Sequence, residues 1–186
     1  MKKLLFTLFV VLLIVGCGRS EIATKWDKEA ILQIDELAIW IENFSPDSSK
    51  ESLKKTKDFD NSYNIEYEYD DSLNENAPYL YYDISAQPTK SDAVIYGSGL
   101  KIGASIGYGY GDAKEIPRND LFGWGDESKF CLLQTEDGTT FGNSFFARKG
   151  KLTVFFIISG VYFDRSEDIH DLLDEKLKAL ERLPTP

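Results

Sequence analysis

The chain has 186 residues, 42% of them apolar and 13% aromatic, which is the composition of a globular protein and the length of one domain with a single core. Its formal charge is −10, from 31 acidic and 21 basic residues. An acidic surface repels phosphate backbones and anionic headgroups, so the charge argues against nucleic-acid binding and against a polybasic membrane patch. With two cysteines, Cys17 and Cys131, and one histidine, His170, the chain also lacks the ligands for a zinc site of ordinary spacing.

The chain opens with Lys2 and Lys3, followed by 12 residues from Leu4 to Val15 that are apolar except for Thr7, and then Gly16-Cys17. A positive start and a short apolar run make a secretory signal; the run is too short to span a bilayer, which takes about 20 residues. Ile14-Val15-Gly16-Cys17 resembles the lipobox of bacterial lipoprotein precursors. The resemblance implies that Ile14, Val15 and Gly16 are the signal-peptidase recognition residues. It implies further that the Cys17 thiol takes a diacylglyceryl group and that the chain is cut before it. The expected divisions are a signal peptide over 1–16, a lipidated cysteine with a short polar tether over 17–24, and one domain over 25–186. Gly18, standing where an aspartate would favour inner-membrane retention, favours the periplasmic face of an outer membrane if the organism has one.

In the domain, Thr24 to Asn43 is expected to be one helix, capped by Thr24 and apolar at Ala30, Ile31, Ile34, Leu37, Ala38 and Ile41. Phe44 to Tyr63 is polar and reads as a loop. Asn64 to Asp70 alternates, with Ile65, Tyr67 and Tyr69 on one face and Glu66 and Glu68 on the other, as a strand does; Tyr79 to Ala86 is its hairpin partner. Thr89 to Tyr110 is expected to be a helix in which Gly99, Gly103 and Gly107 form a smooth stripe, with a glycine-rich hairpin as the rival. Its glycines fit neither the dinucleotide nor the nucleotide-loop spacing, so no cofactor is expected.

Gly111 to Lys129 is a long connection. Phe122 and Trp124 within it are either a binding lip or plugs at the core edge. Strands follow at Lys129–Thr135, Thr139–Arg148 and Leu152–Phe163, turning at Asp137-Gly138 and Lys149-Gly150, and a helix at Ser166–Leu183 closes the chain. Cys131, in an apolar strand, reads as a small buried hydrophobe rather than a nucleophile. His170, among acids in the first helical turn, reads as a solvated surface group.

The expected class is α+β: a curved antiparallel sheet of about five or more strands, with N- and C-terminal helices and a middle helix packed on it. From Gly125-Asp126-Glu127 through Arg148-Lys149-Gly150 to the last helix, the pattern resembles small extracytoplasmic lipoprotein domains of the PsbP/Mog1-like type. That resemblance implies a non-enzymatic binding or assembly module of the cell envelope, holding an envelope protein or a small ligand. No calcium-loop motif or nucleophile elbow is present, and no metal is expected. The alternative is an envelope hydrolase using carboxylates such as Glu66, Glu68 or Asp126.

Overall fold

The computed structural model describes residues 18–74, 77–110 and 113–186, without the side chains of 105–110. The elements in chain order are β1 (Arg19–Glu21), α1 (Lys25–Ala30), α2 (Ile34–Ala38), β2 (Glu51–Lys57), β3 (Tyr63–Asp70), β4 (Tyr79–Ala86), α3 (Lys90–Tyr110), β5 (Lys114–Pro117), β6 (Glu127–Gln134), β7 (Thr140–Lys149), β8 (Leu152–Ser159) and α4 (Ser166–Leu180). The eight strands form one open antiparallel sheet in the order β1-β2-β3-β4-β8-β7-β6-β5. The class is α+β, as the sequence pattern indicates.

Alternation along the strands builds two unlike faces. On one, Ile65, Tyr67, Leu80, Tyr82, Val154, Phe156 and Phe145 pack with Ile31, Ile34 and Leu37 and with Ile169, Leu173 and Leu177 of α4 into the main core. On the other, a smaller cluster of Tyr81, Phe146, Phe155 and Ile157 meets Ala104 and Leu100 of α3. The long apolar strand β8 lies between β4 and β7 and is buried on both faces, which is why its sequence runs apolar without alternation.

The middle helix is a helix and not a hairpin. The glycine that lets it lie close on the sheet is Gly97, where a Cβ would come within 2.7 Å of the Phe146 ring. Gly99, expected in the sheet-facing stripe, faces open space instead.

Five expectations need correction. The helix over Thr24–Asn43 is broken into α1 and α2, because Ile31, Leu32 and Ile34 are all fully buried. At 100° per residue one helix would put Ile31 and Ile34 on one face but turn Leu32 roughly 160° away from Ile34. The break is stabilised by Gln33, whose amide donates to Glu36 Oε2 (2.9 Å), and by Ile34, whose amide donates to Tyr67 Oη (3.0 Å).

The polar stretch after Phe44 contains β2, which pairs along its whole length with β3. The tether is also partly a strand, since β1 pairs with β2 at Arg19–Lys57 and Glu21–Lys55. The long connection after Gly111 likewise contains the edge strand β5. Finally, β8 stops at Ser159, where Gly160 takes a positive φ of 88° and Asn143 brackets the Phe163 backbone by accepting from its amide (2.7 Å) and donating to its carbonyl (3.0 Å).

Candidate functional site: the helix α3 face and the buried acid beneath it

The α3-facing side of the sheet carries polar groups where the opposite side is apolar. Asn64, Glu66 and Glu68 on β3 stand beside Ser85, Asp83 and Tyr81 on β4. Asp83 is fully buried. Its carboxylate accepts from Asn64 Nδ2 at 2.9 Å and lies 3.3 Å from the Tyr96 hydroxyl of α3, while Asn64 Nδ2 also donates to Glu66 Oε1 at 3.0 Å. Burial raises the Asp83 pKa to about 7, and the neighbouring Glu66 charge pushes the same way. The Tyr81 and Thr153 hydroxyls are buried on this side with no hydrogen-bond partner among the described residues. Glu68 accepts from the Tyr79 hydroxyl at 3.1 Å, and its pKa is raised chiefly by burial.

Further along this face, charges pair under α3. Lys101 donates to Glu127 at 2.6 Å and lies 4.7 Å from the Phe146 ring centre. Lys129 is bonded to Glu115, which also accepts from Ser144 at 3.1 Å. A cavity of about 30 Å³ lies among Lys101, Glu115, Lys129, Ser144 and Phe155. That is room for about one water molecule and not for a substrate.

The outer side of α3 is different again. From Ala93 to Tyr110 the only charged residue is Lys101, and it is turned inward to Glu127. Outward stand Val94, Ile95 (68% exposed) and Ile102 (61% exposed), with Gly99 between the two isoleucines at helical spacing.

The residues singled out from the sequence are scattered. Cys17, Ile14, Val15 and Gly16 lie outside the described residues; Gly18 is the first described one. Phe122 is 3% exposed and packs edge-on against Phe130, Phe145 and His170, so it belongs to the core and not to a lip. Trp124 is half-buried, donating to Glu181 Oε1 at 3.3 Å beneath the Lys149 ammonium, and so fastens its loop to the end of α4. Cys131 is fully buried and its thiol is raised to about 11, chiefly by burial, which keeps it protonated. His170 is half-exposed and bonded to Asp174 at 2.9 Å.

Of the three carboxylates put forward, Glu66 and Glu68 share the α3-facing side. Asp126 braces a turn by accepting from the Gly150 amide (2.9 Å) and from Arg148 (3.2 Å). Asp83 is not among the residues that the sequence pattern singles out. Its signal is a carboxylate set in the middle of the otherwise uncharged run Tyr79–Ala86.

Among the described residues no cluster of three or more His, Cys, Asp or Glu side chains could hold a metal ion, and no helix is long and apolar enough to cross a membrane. No protein-family model, curated protein or solved structure matches this chain.

Proposed function

We propose that the chain is a non-enzymatic, lipid-anchored binding module of the cell envelope, held outside the cytoplasm through Cys17, and that it presents the outer face of α3 to a helix of another envelope protein. The observation that carries the binding part is the uncharged outer face itself. In a chain with 28% charged residues, 18 consecutive helical positions carry one charge, that of Lys101, which is paired with Glu127, and they leave Ile95 and Ile102 exposed. A helix that is apolar all round is ordinarily covered on all sides. Gly99 adds to this. A helical glycine costs about 1 kcal/mol relative to alanine, and at a position facing open space the isolated domain recovers none of it. A second helix lying close along α3 would recover it, since small residues at four-residue spacing admit a neighbouring backbone.

Photo-crosslinking residues placed at 95 and 102 in the native envelope test this reading, with exposed Glu136 as the control position. The expected result is one adduct of the same mass from 95 and 102, absent at 136 and abolished by a charge introduced at the other of the two isoleucines. Adducts that are identical at all three positions, or absent at 95 and 102, would overturn it.

A second reading, a carboxylate-dependent envelope hydrolase, draws on Asp83 and Glu66, because that pair combines a buried acid titrating near 7 with a neighbouring carboxylate. It requires α3 to lift off the sheet before substrate could reach the pair. Hydrolysis of envelope glycans by the purified chain, lost in Asp83→Asn, would favour it over the binding module.

A further inference from the structure

We infer that the β2–β3 turn is a second membrane contact: Phe59 inserts into the bilayer interface beside the lipid on Cys17, so that the domain sits on the membrane by one defined end of its sheet. This rests on the lipid-anchor reading above and adds an orientation to it. The register of β1 carries it. Arg19 pairs with Lys57, so the chain traced back from Arg19 runs toward the β2–β3 turn. Gly18 is already beside that turn, since a Cβ there would lie 2.7 Å from Asp58 Oδ1. Cys17 is the residue that precedes Gly18 in the sequence. A lipid on Cys17 therefore leaves the protein next to Asp58-Phe59-Asp60, and the bilayer that takes it up must lie against this turn. With strand pairing beginning at Arg19, the domain has no slack with which to stand away.

The turn is built to hold Phe59 outward. The Asp58 amide donates to the Ser62 carbonyl (2.9 Å) and the Asn61 amide to the Asp58 carbonyl (3.1 Å), with Asn61 at a left-handed φ of 68°. The two carboxylates that flank the phenylalanine are engaged by Ser62, whose hydroxyl lies 2.6 Å from Asp60 Oδ1 and 3.3 Å from Asp58 Oδ2. Phe59 is left 95% exposed at the tip. A rigid turn that offers one large apolar side chain to water gains by burying it, and the one apolar phase that the anchor brings to this place is the bilayer. Neighbouring positions supply cations suited to the headgroup layer: Arg19 and Lys57 on the paired edge, and Lys151 where β8 begins beside the end of β4.

The test uses the full lipidated chain reconstituted into phosphatidylcholine vesicles with or without brominated acyl chains. F59W adds a fluorophore at the turn. L73W adds one at another exposed apolar position (88% exposed), in the connection at the far end of β3, about 25 Å away by strand rise. Brominated lipid is expected to quench the added emission of F59W at least two-fold and to leave that of L73W unchanged, each measured against the parent chain. F59D is expected to pass from vesicle to vesicle about ten-fold faster than the parent. Equal quenching at the two positions, or a transfer rate unchanged in F59D, overturns the inference while leaving the anchor intact. A parent chain that fails to float with the vesicles at all removes the anchor, and with it the ground on which the inference stands.

Discussion

At the scale of the residue, Asp83 is the group most at odds with its surroundings. A carboxyl with an unfolded value of 3.8 and a folded value of about 7 holds its proton in the native state over a pH range where the unfolded chain has lost it. Its contribution to stability is therefore fully present below pH 4, declines as pH rises through the interval up to about 7, and is gone above it. The interval corresponds to on the order of 4 kcal/mol. Asp83→Asn removes the titration but keeps an oxygen to accept from Asn64 and an amide to face Glu66. Urea midpoints between pH 4 and pH 8 should fall for the parent and fall much less for the variant, with the two curves converging at the acid end. Parallel curves would mean that Asp83 does not titrate in this interval. Nothing local in the sequence gives this environment. The acid is visible in Tyr79–Ala86, but its burial depends on Tyr96 arriving from α3 and on the register that sets Glu66 opposite it.

Helix α3 shows how two glycines two positions apart differ in what they do. Gly97 is pressed to the sheet, and Ala there must displace the Phe146 ring, itself buried beneath Lys101. Overpacking of this kind costs about 1–3 kcal/mol. Gly99 meets nothing, so Ala there should stabilise the isolated domain by up to about 1 kcal/mol through helix propensity alone. Chemical denaturation of the two variants should thus shift in opposite directions, and the same sign for both would place the contact face of α3 wrongly. The glycine spacing indicates a helix, but not which glycine meets the sheet, because Phe146 reaches it from a strand some 50 residues later. The outer strand β2 is hidden for a related reason. β2 reads Glu-Ser-Leu-Lys-Lys-Thr-Lys and holds its shape through pairing with β3, not through an apolar face. Its three lysines erase the alternation by which β3 is found, although one of them, Lys55, is turned to the buried Asp27 at 2.9 Å. β8 and α4, with their apolar run and apolar stripe, depend least on partners and are the most legible.

For the molecule as a whole, the sequence pattern conveys the layered α+β build and the residues of the main core, since burial on one face is written into strand alternation and helical periodicity. What it leaves out is that the other face sets a polar group around Asp83 beside a small apolar cluster, both under a single helix, a property of long-range register. The same division between local and distant signals governs membrane attachment. The net charge of −10 opposes adsorption to anionic lipid, and among the described residues no helix could span a bilayer. Under the proposed lipid anchor, attachment would rest on the acyl chains of Cys17, each buried methylene contributing about 0.8 kcal/mol, while one exposed phenylalanine in a turn supplies far less than even a single acyl chain. Cys17→Ser should accordingly move the protein from the detergent-rich to the aqueous phase at every salt concentration, and intact mass should show the absence of the lipid. Retention that weakens as salt is raised would instead mean that an electrostatic surface holds the chain to the membrane, and the lipid would not be its anchor.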